Sequence, residues 1–153
     1  MTDRSVAHDT FVIERRYEAS PARVFTAWSD PAAKAKWFGE PDFGAEFPHE
    51  MDFRVGGHEK IGGRPPGGSL YTYDAVYQDI IEGQRIVYTY EMQMDGKRIS
   101  VSVATVEFAA DGDATLLIVT EQGAYLDGYD TSAQREQGTK ELLEALAKSL
   151  DEG

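Results

Sequence analysis

Two charged residues stand where apolar ones belong. In "HDTFVIERRYE", Arg15 keeps the phase of Phe11, Ile13 and Tyr17, and in "ATLLIVTEQGAY", Glu121 keeps the phase of Leu117 and Val119. In a strand, that alternation turns both toward the inside. A charge removed from water is costly unless it is paired, so a contact between Arg15 and Glu121, direct or through water, is expected. Such a pair either fixes sheet geometry and closes a pocket end, or orients a ligand and works in acid–base chemistry.

The other reactive side chains are sparse. The three histidines form no metal motif: "HEMDF" and "HEKIG" lack the second histidine of a zinc-protease helix, and His8 lies close to the chain start. Cysteine is absent, which removes disulfides, thiolate metal sites and a cysteine nucleophile together. The glycine-rich "GGHEKIGGRPPGG" carries neither the dinucleotide fingerprint nor a phosphate-loop lysine, and reads as strand ends and a flexible loop. No Gly-x-Ser-x-Gly elbow occurs. No metal and no cofactor is expected, and any acid–base role falls to Glu121, His58 or a tyrosine.

The elements that would position these residues are legible in order. A strand over residues 8–18 is followed by "SPARVFTAWSD", where Ser20 caps, Pro21 takes the first helical position and Val24, Phe25 and Trp28 make one apolar face. "DPAAKAKWF" repeats that signature behind Asp30. From Phe43 to Tyr125 the pattern is almost all strand: "AEFPHEMDFRVGG" predicts two short strands ending at Gly56–Gly57, and "SLYTYDAVYQDII" and "RIVYTYEMQM" alternate around the turn "EGQ". Asp95–Gly96 and "DGD" at Asp111–Asp113 then turn the chain through "RISVSVATVEFAA" into "ATLLIVTEQGAY". Successive hairpins make an antiparallel meander. "TSAQREQGTKELLEALAKSL" closes the chain as one long helix, opened by Thr131 and Gln134 and carrying Leu142, Leu143, Leu146 and Leu150. The fold class is α+β, with that helix the one amphipathic element long enough to cover the sheet.

The helix face does not stay apolar. Projected back from its leucines, it presents Thr139, Gly138 and Arg135 toward a sheet rich in Tyr71, Tyr73, Tyr88 and Tyr90. Either a tyrosine fills the space over Gly138, or the space stays open and is lined as small-molecule sites are lined. In the second case Phe53, Tyr73, Tyr88 and Tyr90 make the walls, Arg15 and Glu121 the polar end, and Arg135 and Thr139 the helical side. "KWFGEPDFGAEF" adds Trp37 and Phe38, two large apolar neighbours ahead of Gly39 and Pro41. Trp37 is expected to be buried and to touch the pocket, Phe38 to seal the sheet edge or pack as core, and Gly39 and Pro41 to turn the chain back into the sheet.

With 153 residues, 41% of them hydrophobic and 11% aromatic, the chain suits one domain spanning 1–153, with 1–7 expected to be flexible. Fifteen basic against 27 acidic residues give a formal charge of −12, which disfavours nucleic acid and anionic membranes as partners. No stretch approaches the roughly 18 apolar residues of a membrane span, and no leader h-region opens the chain, so the cytoplasm is the default.

"RRYEASPARVFTAWSDPAAKAKWF", "DFRVGG" and "TEQGAYLDGYDTSAQREQGTKELLEAL" resemble the bacterial relatives of the heat-shock-protein-90 ATPase activator, within the START and Bet v 1-like superfamily called SRPBCC. The resemblance covers residues 8–150. It implies a helix-grip fold, a curved antiparallel sheet wrapped around the C-terminal helix over a deep cavity. The family commonly carries tryptophan after the glycine of the last helix, where Thr139 stands here, which implies a larger or differently shaped cavity. One superfamily fold serves lipid carriers, cyclases, oxygenase domains and co-chaperones, so function rests on the site. Three readings stand: a binder of a small hydrophobic or aromatic molecule, a cyclase- or hydrolase-type enzyme using the same cavity, and a co-chaperone-like binder of a chaperone.

Overall fold

A computed structural model describes residues 4–39 and 47–151. The chain opens with β1 (Val6–Tyr17), passes through α1 (Pro21–Ser29) and α2 (Pro31–Lys34), and then runs through β2 (Phe47–Met51), β3 (His58–Gly63), β4 (Tyr71–Ile81), β5 (Arg85–Met94), β6 (Lys97–Asp111) and β7 (Ala114–Leu126). It ends in α3 (Ser132–Asp151). All pairings are antiparallel, in the order β1-β7-β6-β5-β4-β3-β2, so the first strand closes the far side of a six-strand meander. This is the helix-grip fold.

Local chemistry explains the helices. Ser20 accepts from the Arg23 amide at 3.2 Å and Asp30 from the Ala33 amide at 3.0 Å, each just before a proline that needs no amide partner. Thr131 caps α3 by accepting from Gln134 N at 3.1 Å. The second half of α3 buries Leu143, Leu146 and Leu150, and the Tyr17 hydroxyl donates to Leu143 O at 3.0 Å, tying the helix to β1. Arg23 of α1 donates to Leu150 O. The core lies between this half of the helix, α1 and the inner faces of β1, β4, β5, β6 and β7.

Two boundaries differ from expectation. Residues 6 and 7, expected to be flexible, pair with Leu126 and Tyr125 in β1. "HEKIGG", part of a stretch expected to be strand ends and a flexible loop, is the full strand β3, and the expected second short strand before Gly56 is the turn into it. The turn explains both glycines: Gly56 has φ +84°, and a side chain on Gly57 would stand 2.1 Å from Asp52 O. Gly56 N and Gly57 O bond Tyr77 O and N at 2.8 and 3.0 Å, which locks the turn to β4 beside its register shift at Tyr77/Asp79. Pro41 and Phe43 lie outside the described residues.

Candidate functional site

A cavity of about 460 Å3 lies between the first half of α3 and the sheet. Trp28, Trp37 and Phe38 supply one wall; Tyr73, Tyr88, Tyr90 and Met92 the floor; and Arg135, Gly138, Thr139 and Leu142 the helical wall. Among the described residues, no atom outside the helix's own adjoining turns comes within 4 Å of where a Gly138 Cβ would stand, so none of the described tyrosines fills that space. Alternation on β4 and β5 turns Tyr73, Tyr88 and Tyr90 inward, with ring centroids 4.9 Å apart for Tyr73–Tyr90 and 5.9 Å for Tyr88–Tyr90. Burial holds the hydroxyls of all three well above their ordinary range, so they stay protonated at neutral pH and cannot act as bases.

The polar end is built around Glu121, but its partner is not Arg15. The Arg135 guanidinium stands 3.6 Å from Glu121 Oε2, and the Tyr90 hydroxyl donates to Glu121 Oε1 at 2.8 Å. Arg135 also donates to Tyr90 at 2.9 Å, to Ser100 at 2.8 Å and to Asp130. Arg15 sits opposite Leu117 on β7, whereas Glu121 sits opposite Phe11. Four residues of strand, roughly 13 Å, therefore separate Arg15 from the position it would need. It is half-buried and lies 3.8 Å from the exposed Glu144 of α3. Phe53 is also displaced from the cavity lining: it packs on Phe25 and Tyr77, at 5.9 and 4.9 Å between centroids, on the core side of the turn. His58 is exposed, 3.3 Å from Asp74. Trp37, Tyr73, Tyr88, Tyr90, Glu121, Arg135 and Thr139 all line the cavity.

Burial pushes the Glu121 carboxyl above the ordinary carboxylate range, against the pull of Tyr90, Arg135 and Ser102. Its Oε2 has no hydrogen-bond partner among the described residues. A raised folded-state value contributes stability that is fully present below the unfolded value and lost as pH rises through the folded one. Glu121→Gln should abolish that loss. The stability of the wild type minus that of Glu121→Gln, from urea unfolding at a series of pH values, should fall as pH climbs from the ordinary carboxylate value. A flat difference would show that Glu121 titrates as an exposed carboxylate does.

A second polar cluster went unseen in the sequence. Lys34 and Glu59 are each 1% exposed, and Lys34 Nζ donates to Glu59 Oε1 at 2.6 Å. The Tyr77 hydroxyl donates to the same oxygen at 2.8 Å, and His49 Nε2 stands 2.7 Å from Oε2. The ammonium lies 4.5 Å from the Phe38 ring centroid and 5.5 Å from that of Trp28, within reach of cation–π attraction. Burial pushes the Lys34 ammonium below its ordinary range; burial acts upward on Glu59, but Lys34, His49 and Tyr77 together hold the carboxyl below its own. His49 lines the cavity, so the cluster reaches it through an imidazole. Lys34 closes a four-residue helix and Glu59 sits in a strand flanked by glycine pairs, and no periodicity in either stretch signals that the two are buried together.

The description that matches the chain, over residues 18–152, is that of the activator of Hsp90 ATPase homolog 1-like proteins. The chain belongs to this family. Among solved structures it is similar to an uncharacterized protein from Rhizobium leguminosarum, with 43% identity over 99% of this chain and 100% of that one and a TM-score of 0.94. It is also similar to the Mll3558 protein from Rhizobium loti, with 46% identity over 95% and 99% and a TM-score of 0.88. The CV1439 protein from Chromobacterium violaceum shares 26% identity over 91% and 94%, with a TM-score of 0.74. No curated protein matches the chain. No helix among the described residues is long and apolar enough to cross a membrane.

Proposed function

We propose that this member of the family binds a small hydrophobic or aromatic molecule in the helix-grip cavity. Its rings lie among Trp37, Tyr73, Tyr88 and Tyr90, and a hydrogen-bond donor on it meets Glu121. One observation carries the reading: a buried carboxylate oxygen that accepts no hydrogen bond among the described residues, with the Arg135 guanidinium 3.6 Å away, on a residue that lines a cavity of about 460 Å3 with otherwise mostly apolar walls. An unmet buried acceptor costs roughly 1–3 kcal/mol, which a ligand donor recovers. The volume suits a small molecule. The terminal nitrogens of Arg135 are already engaged by Tyr90, Ser100 and Asp130, which favours a neutral donor such as a phenol over a carboxylate. At roughly 25 cal/mol per Å2 of apolar surface, less the costs of association, a small aromatic should bind in the micromolar range.

The test fills the space. Thr139→Trp places an indole on the helical wall, a residue the resemblance implies the family tolerates there. In a calorimetric and thermal-shift screen of phenols, neutral aromatics and fatty acids, the wild type should bind phenols best. Thr139→Trp should weaken that binding by about tenfold or more, which is about 1.4 kcal/mol, with the fold intact by circular dichroism. If no compound binds, or the tryptophan changes nothing, the cavity yields to a role played by the surface, such as contact with a chaperone.

A further inference from the structure

We propose that His49, held by Glu59, is a general base at the β2 side of the cavity and takes an acidic proton from the bound aromatic molecule. The proposal rests on the ligand-binding reading above and gives that site a reaction. His49 Nε2 lies 2.7 Å from Glu59 Oε2. Glu59 is held ionised by Lys34 and Tyr77 on its other oxygen, so it only accepts, and Nε2 must carry the hydrogen. That leaves Nδ1 as the basic nitrogen, and Nδ1 has no hydrogen-bond partner among the described residues. The imidazole lines the cavity and rests against Phe38, with ring centroids 6.0 Å apart. A base whose far nitrogen is oriented by a buried carboxylate is the arrangement that general-base catalysis needs.

Charge balance supports the same assignment. Lys34 already offsets Glu59 within a pair that is 1% exposed on each side, which leaves the second carboxylate oxygen to orient the His49 ring. When it takes a proton, Glu59 stabilises the imidazolium through Nε2–H, as a base-orienting carboxylate should. In the step itself, Nδ1 forms a bond to the hydrogen of an acidic C–H or O–H, and the electron pair stays on the ligand. Nothing is oxidised or reduced, and water later takes the proton back from His49. Lys34 and Glu59 are positioning residues; of the three, His49 alone lines the cavity and meets the ligand.

The probe is 5-nitrobenzisoxazole, a small aromatic opened by any well-placed base. Nδ1 takes the ring C–H proton, the C–H electrons become the third bond of a nitrile, and the N–O bond breaks to release a coloured phenolate. The wild type should open it roughly 100-fold faster than the same concentration of free imidazole, and His49→Gln should lose that advantage. Binding is followed separately, through amide shifts of Gly138, Thr139 and Leu142 in NMR spectra. A probe that binds without faster opening, or a His49→Gln protein as fast as the wild type, overturns the base while leaving the cavity reading intact. A probe that does not bind counts against both. Should His49→Gln fail to fold, the wild-type imidazole answers: long-range 1H–15N spectra should show His49 as the Nε2–H tautomer, and Glu59→Gln should shift it toward Nδ1–H. A wild-type Nδ1–H tautomer overturns the proposal.

Discussion

Lys34→Ala should cost about 3–5 kcal/mol of stability, the usual penalty for leaving one partner of a buried ion pair alone. Both side chains are 1% exposed, so water cannot take over the charge left on Glu59. The variant also removes the ammonium from among Phe38, Trp28, Trp37 and Tyr88. Urea unfolding of Lys34→Ala, Glu59→Gln and the double variant Lys34→Met/Glu59→Gln separates the terms. In the double variant a glutamine carbonyl still accepts from Tyr77, its amide donates to His49, and no unpaired charge remains. Its loss should be well below the sum of the single losses. pH supplies an independent check. The Glu59 carboxyl is depressed, so its contribution is present above the unfolded value and is lost as pH falls through the folded one. Once Lys34 is gone, the remaining charge is neutralised in acid, so the cost of Lys34→Ala should shrink as pH falls below the ordinary carboxylate range. A cost that is small at neutral pH, or that grows in acid, would mean the pair is solvated in solution.

The sequence carried the fold further than it carried the site. Caps at Ser20, Asp30 and Thr131, period-two runs from Tyr71 onward and the turn at Asp95–Gly96 each act locally, so a single strand of text reveals them. The same locality limits the site. Alternation said that Arg15 and Glu121 both face inward, but their distance along the sheet depends on register, and register places Phe11 against Glu121. Arg135 then takes the role, because α3 lays its first turns over Tyr90 and Ser100. Phe53 fails for a related reason. Its apolar character predicted burial, and only the turn locked to Tyr77 decides that it faces Phe25 and not the cavity. The Lys34–Glu59–His49 cluster joins three elements, one of them disguised by glycines, and no spacing along the chain announces such a meeting.

Trp37→Ala should cost about 3–5 kcal/mol, as large-to-small changes of buried aromatics do, and should spoil ligand binding as well. Trp37 is 3% exposed and lines the cavity, so it serves as core and pocket wall together. Its ring meets Trp28 and Phe38 at centroid distances of 4.8 and 5.9 Å, and Nε1 donates to Ala27 O of α1 at 2.9 Å. Gly39, at φ +97°, then lets the chain leave the tryptophan in a direction other residues resist. Alanine at 37 would join a new void to the existing cavity, removing stacking surface from the ligand and packing from Lys34's aromatic surroundings. Trp37→Phe separates the two roles. It keeps a ring on the wall but strands the Ala27 carbonyl, at roughly 1–3 kcal/mol. Thermal melts should therefore rank wild type above Trp37→Phe above Trp37→Ala, while calorimetry with a phenol should show Trp37→Phe still binding and Trp37→Ala not. Equal binding by all three would place the ligand elsewhere. Unchanged melting of Trp37→Ala would mean that the second helix does not hold this tryptophan in the core.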